Sequence, residues 1–404
     1  MVDCCIAGCG PAGAVLGLLL ARAGLDVVVL EKHADFLRDF RGDTIHPSTL
    51  EILDDLGLAE RLLGELPHSE VGQFDIRLPG GVELSVDFSE LGTRFPFIAF
   101  VPQWDFLRFV TNEAGRYSGF RLVMEAEAQS LVFDGERVAG VSYRTPDGNA
   151  HEVRALLTVG ADGRTSRVRE AAGLRLHETS PPMDVLWFRV SRRATDSESV
   201  GLRLLAGHFF ALINRRDYWQ VAYVIPKGGY DAVRAAGLEA FRGSFAEGVP
   251  ELADRAAEIR DWDQVKLLTV RADRLVRWYR DGLLCIGDAA HAMSPVAGVG
   301  INVAIQDAVE AANLLWQPLK RGDVRPRHLA RVQRRRELPV RLTQAFQGLL
   351  QDQVLRPTLS PGGRAAGPPP IVQLALRLPL VRRVPARFIA LGVRRPRVRT
   401  PAAA

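Results

Sequence analysis

Glycines and acidic residues recur together at three points where an apolar, strand-like run of the sequence stops. The first is Gly8-Cys9-Gly10-Pro11-Ala12-Gly13, which follows such a run and opens a helix pattern. Glycines at this spacing allow a tight turn, close approach of the backbone to a pyrophosphate, and close packing of helix on strand. The start of the helix offers free N–H groups and positive potential to phosphates. The motif therefore indicates dinucleotide binding, although it is weak evidence by itself.

The segment after this motif completes a β-α-β pattern. The helix pattern ends at Gly24, and the apolar run that follows stops at Glu31-Lys32. An acid at the end of the second strand can accept hydrogen bonds from a ribose 2′-OH. Because the strand, the helix and the terminal acid come in this order, dinucleotide binding is favoured over a chance glycine turn.

Two more turns of this kind follow later in the chain. Asp162-Gly163 ends one strand, and Gly287-Asp288 ends the run LLCIGD, after which small residues lead into a helix predicted from Asn302 to Leu319. A single carboxylate surrounded by residues with almost no side chain suggests a large ligand that rests against the backbone. The alternative is a tight strand-to-helix turn in which Asp288 acts as a local cap.

Together and in this order, the three motifs resemble those of the class A FAD-dependent monooxygenases, the para-hydroxybenzoate hydroxylase-like aromatic hydroxylase family, over nearly the whole chain. The resemblance implies that the first motif holds the ADP half of FAD. It implies that Asp162-Gly163 serves FAD and the pyridine nucleotide, and that Gly287-Asp288 contacts the ribityl and pyrophosphate region. A further set of residues would lie against the isoalloxazine ring, where a helix N-terminus favours negative charge: Pro295, Gly298, Gly300, Ile301 and Asn302.

Single residues add weaker indications. By resemblance, Gln103 takes the place of a ribityl-binding residue, and Arg41 lies near a basic residue that approaches the flavin phosphates or the nicotinamide cofactor. The alternatives are a polar helix start and a solvated loop arginine. His46 and His291 are candidates for deprotonating a phenolic substrate, since the pKa of histidine lies near neutrality. The alternatives are a capping or loop role for His46 and structural packing for His291.

The family resemblance also implies an activity. NAD(P)H would reduce FAD, O2 would add at the flavin C4a position, and the resulting hydroperoxide would hydroxylate an aromatic or polycyclic small molecule. Two alternatives stay open: an FAD-dependent reductase or dehydrogenase of a polyprenyl or quinone group, and a non-catalytic FAD-binding protein. Six aromatic residues are either a cover over the substrate or plain core: Trp187, Phe188, Phe209, Phe210, Trp219 and Tyr223.

Length and pattern predict more than one domain. The 404 residues are 47% apolar and 25% charged, as in ordinary soluble globular proteins. The predicted fold is α/β: a Rossmann-like FAD-binding domain, an inserted β-rich substrate domain and a helical C-terminal segment. The expected boundaries are 1–72, 97–180 and 268–325 for the first, 73–96 and 181–267 for the second, and 326–404 for the third.

Charge and cysteine placement exclude other classes. The net charge of +5 is concentrated near the end, where residues 377–399 include eight arginines and no acid. The rest of the chain is close to neutral, so its charge does not indicate nucleic-acid binding. This basic stretch either contacts an anionic membrane surface weakly or packs on the flavin domain with solvated arginines. Cys4, Cys5, Cys9 and Cys285 match neither a disulfide framework nor a zinc site, so no metal is expected. We expect the four cysteines to act as small, buried hydrophobic side chains, and the protein to reside in a reducing cytoplasm.

Overall fold

The computed structural model describes residues 1–37, 43–77, 83–179, 181–196, 201–205, 207–359 and 379–402. The first strands are β1 (Val2–Ala7), β2 (Val27–Leu30), β3 (Thr44–Ile45), β4 (Ser69–Val71), β5 (Gln73–Arg77), β6 (Glu83–Asp87), β7 (Ile98–Phe100), β8 (Phe120–Val123), β9 (Glu127–Asp134) and β10 (Arg137–Arg144). They continue as β11 (Ala150–Gly160), β12 (Leu176–Thr179), β13 (Met183–Ser191), β14 (Gly201–Leu205), β15 (His208–Asn214), β16 (Tyr218–Pro226), β17 (Lys266–Leu268), β18 (Ala272–Leu275), β19 (Tyr279–Arg280) and β20 (Leu283–Cys285). The helices are α1 (Pro11–Arg22), α2 (Pro47–Asp55), α3 (Ala59–Glu65), α4 (Gln103–Ala114), α5 (Arg167–Ala171), α6 (Tyr230–Ala235), α7 (Leu238–Gly248), α8 (Gly300–Lys320), α9 (Pro326–Leu350), α10 (Arg356–Leu359) and α11 (Pro379–Leu391).

Parallel strands form the centre of the larger sheet, which runs β19-β20-β11-β1-β2-β8 and is extended from β11 by β10 and β9. β1 pairs in parallel with β11 and β2, and β20 and β8 add further parallel pairs. Central runs such as VVVL in β2 are apolar throughout because both faces of the sheet are covered. Parallel pairing places the carboxyl ends of β1, β2, β11 and β20 at one edge. The three motif turns follow β1, β11 and β20, so they meet there.

Helix α1 packs closely against this sheet. A Cβ on Gly13 would lie 2.0 Å from the carbonyl oxygen of Gly8, and a Cβ on Gly17 would lie 2.9 Å from the ring of Phe120. Both glycines therefore set the separation of helix and sheet. On its other sides α1 contacts α4 and α8, and ten of its twelve residues are buried. The start of α1 is thus fixed relative to the carboxyl edge of the sheet.

The second sheet joins segments that are far apart in the chain. Its order is β17-β13-β16-β15-β14-β5-β6, and neighbouring strands are antiparallel except for β14 and β5. One face packs on α7 and the 3-10 turn Pro250–Glu258 around Phe188, Phe210 and Phe245. The opposite face, which carries Trp187 and Phe209, borders a cavity that reaches the carboxyl edge of the larger sheet.

The C-terminal region returns to the part of the molecule built on the larger sheet. α9 packs on α8, and the last residues run along α2. Arg395 contacts Glu51 at 2.9 Å, and Arg397 donates to Asp55 at 2.8 Å. Arg383 donates to Glu90 at 2.8 Å. These arginines are paired with acids while their side chains stay partly exposed to solvent. Nothing supports the interpretation of the tail as a membrane-binding surface.

The α/β fold predicted from the sequence is confirmed, and so is the β-α-β start of the chain. The helix expected from Asn302 begins two residues earlier, at Gly300. All four cysteines are free and buried, as expected. The domain boundaries stay a prediction. Among the described helices, none combines the length and apolar character required to cross a bilayer.

We expect Gly13→Ala to destabilise the ligand-free protein by about 1–3 kcal/mol, because the added methyl group meets backbone that cannot move aside. Urea unfolding measures this change. Gly64→Ala in α3 is the matched control, since a Cβ there meets nothing within 4 Å. That control should be neutral or gain about 0.5–1 kcal/mol. Equal stability of the two variants would contradict the packing described for α1.

Candidate functional site

The cavity has a volume of about 1700 Å³ and extends from the motif turns to the second sheet. Most of the predicted site residues line it: Gly8, Gly10, Pro11, Ala12, Glu31, Lys32, His46, Gln103, Asp162, Gly163, Asp288, Pro295, Gly298, Gly300 and Ile301. Gly13, Gly287 and Asn302 are not part of the lining. Arg41 lies outside the described residues. The fold therefore brings residues from distant parts of the sequence to one surface.

The turn after β1 leaves room for a phosphate group. Gly8 has a φ of 97°, and a Cβ there would lie 2.4 Å from the carbonyl oxygen of Ala161, so the turn requires glycine. A Cβ on Gly10 would meet nothing within 4 Å and would project into the cavity. No side chain of the described residues caps the start of α1, which leaves its first N–H groups available to an anion. These features fit the pyrophosphate of FAD.

Glu31 is held in place at the end of β2. Its carboxylate accepts hydrogen bonds from the backbone N–H of Cys9 at 3.0 Å and of His33 at 3.1 Å. The residue is 2% exposed and borders the cavity. A carboxylate has about four acceptor sites, so Glu31 can also accept from the hydroxyls of a ribose.

Asp162 shapes its turn by capping the helix that follows. One carboxylate oxygen accepts from the hydroxyl of Ser166, and the other accepts from the N–H of Val168 at 3.1 Å. The Ser166 hydroxyl oxygen in turn accepts from the N–H of Arg169 at 2.9 Å. Burial raises the pKa of Asp162, although these hydrogen bonds oppose the effect. Asp162 therefore fixes the backbone at Gly163, which borders the cavity.

Asp288 faces the cavity and is paired with Arg164, a contact between two of the three motifs. The Nε atom of Arg164 donates to Asp288 at 3.0 Å. A Cβ on Gly287 would lie 3.1 Å from the Cβ of Ala12, so the third motif also packs closely on the first. Both side chains of the pair are partly exposed, and Asp288 keeps acceptor capacity for ribityl hydroxyls. The pair has no signal in the sequence because its members are 124 residues apart.

Residues with small side chains or none make up part of the cavity wall before α8. Ala297 and Gly298 have φ values of 65° and 62°, and a Cβ on Gly298 would lie 2.8 Å from the hydroxyl of Thr44. A wall with small side chains fits the face of a planar ring. Asn302 lies behind this wall, where its amide oxygen accepts from the N–H of His46 at 2.9 Å and the hydroxyl of Thr49 at 2.7 Å. Its amide nitrogen donates to the carbonyl oxygens of Thr44 at 3.0 Å and Gly298 at 3.5 Å.

His46 borders the cavity but is fully buried. Its Nδ1 lies 2.8 Å from the carbonyl oxygen of Ile389 in α11. Burial lowers the pKa of His46 to about 4, against the opposing effect of backbone hydrogen bonds. The ring is therefore neutral at pH 7 and is a weak base. No local pattern in the sequence indicates that α11 covers this residue.

The second sheet divides its aromatic residues between the cavity and the core. Trp187 and Phe209 face the cavity, whereas their neighbours Phe188 and Phe210 are buried against α7. Side chains alternate along a strand, so each pair splits between the two faces. Trp219 and Tyr223 also belong to the core. The rest of this end of the cavity is largely apolar, with contributions from Met183, Val185, Leu202, Leu204, Ile213, Val224, Leu268, Leu350, Leu355, Pro385 and Ile389.

A buried polar cluster interrupts this apolar surface. Arg215 contacts Asp43 and donates from Nε to Gln220 at 2.8 Å, while Asp43 accepts from the N–H of Gln103 at 3.1 Å. Burial raises the pKa of Asp43, and Arg215 partly offsets this. The Nη1 atom of Arg215 is buried without a hydrogen-bond partner among the described residues. The sequence offered no signal for this cluster, since Arg215 resembles any hairpin arginine.

His291 has a structural role beneath the third motif, as its packing alternative predicted. Its Nε2 lies 2.5 Å from Asp307, which also accepts from the N–H of Gly287 at 3.1 Å and from Arg336 at 2.7 Å. Burial alone would raise the pKa of Asp307, but His291 and Arg336 together hold it below its usual value. The network ties α8 and α9 to the turn that carries Asp288.

Comparison with known proteins agrees with this geometry. The family model of the FAD binding domain matches residues 1–345. A 6-methylpretetramide 4-monooxygenase of Streptomyces rimosus is 33% identical over 403 residues, which cover 98% of this chain and 94% of that protein.

Solved structures share the fold. The OxyS anhydrotetracycline hydroxylase from Streptomyces rimosus is 25% identical with a TM-score of 0.75, and the match covers 96% of this chain and 75% of that one. PqsL, a probable FAD-dependent monooxygenase from Pseudomonas aeruginosa, is 22% identical with a TM-score of 0.74, over 87% of this chain and 96% of that one. The chain therefore belongs to the FAD binding domain family and is an FAD-dependent enzyme of the aromatic hydroxylase class.

Proposed function

We propose that the protein is a monooxygenase that inserts one oxygen atom into a polycyclic aromatic small molecule. The balanced reaction converts substrate R–H, O2, NAD(P)H and a proton into R–OH, water and NAD(P)+. Bound FAD would supply the electron transfer and oxygen activation that protein side chains cannot perform. The residues of this chain would bind FAD, orient the substrate and exclude water.

The observation that carries this proposal is the continuity of the cavity. The motif turns and the apolar chamber border one space of about 1700 Å³. Pockets for ordinary small ligands occupy about 300–1,000 Å³, so this space has room for FAD together with a substrate of several fused rings. The similar Streptomyces rimosus proteins are named for 6-methylpretetramide and anhydrotetracycline, which supports a substrate of this type.

The polar cluster would orient such a substrate. Arg215 lines this otherwise apolar chamber, and its side chain is 7% exposed. A phenol, enol or amide oxygen of the bound substrate would pair with this cluster, because a polar group shut off from water is costly unless it is hydrogen-bonded. The neutral imidazole of His46 would act as a hydrogen-bonding group more readily than as a strong base.

The proposal is tested by following oxygen from 18O2 into product. Candidate tetracyclic phenols are incubated with the protein, FAD and NADPH or NADH, and products are analysed by mass spectrometry. We expect a product heavier by one 18O atom, formed in step with nicotinamide oxidation. Nicotinamide oxidation that yields a reduced polyprenyl or quinone compound without 18O would favour a reductase or dehydrogenase instead.

Gly10→Ala should weaken FAD binding about 10- to 100-fold, because the new methyl group projects into the space assigned to the pyrophosphate. The fold should be unaffected, since Gly10 has a φ of −74° that alanine adopts easily. Fluorescence titration of apoprotein with FAD measures affinity, and urea unfolding of the same apoprotein serves as the control. Undiminished affinity would place the pyrophosphate elsewhere.

The buried His46 should make the protein sensitive to acid. Between pH 6.5 and the folded-state pKa of about 4, the unfolded chain binds a proton that the folded chain does not, so stability falls as pH decreases. Between pH 8 and pH 5 this effect of His46 should lower the free energy of unfolding by about 2 kcal/mol. Urea unfolding at both pH values should show that His46→Gln loses less stability than the wild type by roughly this amount. Equal losses of stability in the wild type and His46→Gln would contradict the lowered pKa of His46 in the folded protein.

A further inference from the structure

Helix α9 turns a row of polar side chains toward the protein interior. The row consists of Gln333, Arg336, Gln344, Gln347 and Gln351, which follow one another at helical spacing on one side of α9 and its continuation. Gln347 is 2% exposed and Arg336 is 1% exposed. Each member donates to the chain between Asp273 and Asp307, which includes the third motif and the wall before α8. The row therefore holds this part of the chain against α9.

Gln347 holds the part of this segment that borders the cavity. Its Nε2 donates to the carbonyl oxygens of Ser294 and Val296, both at 2.8 Å. Both neighbours are acceptors, so the orientation of the amide group is determined by its surroundings. Gln351 adds a hydrogen bond of 2.6 Å to the hydroxyl of Ser294. Gln347 itself does not line the cavity, so any effect on the site acts through the backbone.

The backbone immediately after this contact is strained. Ala297 has a φ of 65°, a left-handed conformation that residues with a Cβ adopt rarely. Such a conformation persists when neighbouring contacts impose it. One contact is the Gln347 amide at Val296, and a second is the Thr44 hydroxyl, which donates to the carbonyl oxygen of Gly298 at 2.8 Å. The wall is thus fixed from both sides.

We propose that Gln347 is a positioning residue that sets the wall Pro295–Gly298 against the flavin ring. The inference rests on the proposed placement of FAD in the cavity. Without the amide, Ala297 would relax toward an ordinary conformation and the wall would move. Oxidised and reduced flavin differ in charge, so the shift would change their binding unequally and alter the reduction potential.

Gln344 provides a matched control one turn earlier on α9. Its Nε2 also donates to two carbonyl oxygens, those of Asp273 at 2.8 Å and Ala292 at 3.1 Å. Neither Asp273 nor Ala292 lines the cavity. Gln347→Met and Gln344→Met therefore remove the same kind of interaction from the same helix, with only the first expected to act on the site.

The experiment compares FAD affinity, measured by fluorescence titration of apoprotein, and the two-electron potential, measured against reference dyes. Gln347→Met should raise the Kd of FAD at least tenfold. It should also weaken the binding of oxidised and reduced flavin to different extents, and a tenfold difference between these two effects shifts the potential by about 30 mV. Gln344→Met should keep the Kd of FAD within about twofold of wild type and the potential within about 9 mV, which is the same factor for a two-electron couple. Equal effects of the two variants, or no effect of Gln347→Met, would overturn the inference.

A second variant tests the mechanism. Glycine adopts the left-handed conformation freely. The double variant Gln347→Met with Ala297→Gly should therefore bind FAD at least about three times more tightly than Gln347→Met alone. Lack of recovery would contradict the role assigned to Ala297. Wild-type protein that takes up no FAD would overturn the proposed cofactor site together with this inference. Wild-type protein that binds FAD, with Gln347→Met unchanged, would overturn the inference alone.

Discussion

The site depends on the close approach of three backbone turns at the carboxyl edge of one parallel sheet. The turns after β1 and β11 approach so closely that a methyl group on Gly8 would lie 2.4 Å from the oxygen of Ala161. The turn after β20 packs its Gly287 on Ala12. Larger side chains at these points would push the turns apart. Because the strands are adjacent and parallel, glycines in three separate motifs produce one continuous binding surface.

Elements outside the sheet keep this surface in place. α9 supplies the row of glutamines and Arg336 that hold the chain from Val276 to Asp307, and α11 covers His46 through Ile389. The final residues are joined to α2 by ion pairs such as that of Arg397 with Asp55. The C-terminal region thus completes the proposed substrate chamber and supports the proposed flavin wall. Among its described residues, Arg383, Arg395, Arg397 and Arg399 pair with acids on the body of the protein.

Sequence alone predicted the parts of the fold that local patterns encode. The β-α-β start, the strands that lead into Asp162-Gly163 and Gly287-Asp288, and the glycine motifs follow from spacing over a few residues. Contacts between distant residues had no such signal. Arg164 with Asp288, and Arg215 with Asp43, resemble solvated surface charges in sequence. Gln347 was equally hidden, because glutamine on an arginine-rich helix is expected to face solvent and not to bind buried carbonyl groups.

The central claim, that the three turns bind FAD that a nicotinamide can reduce, is tested most directly by the visible spectrum of the purified protein under anaerobic conditions. We predict one FAD per chain with flavin absorption bands that bleach when NADPH or NADH is added. Protein that is colourless and cannot take up FAD would contradict the assignment of all three motifs. Bound flavin that neither nicotinamide reduces, with or without a candidate substrate, would contradict the proposed use of NAD(P)H.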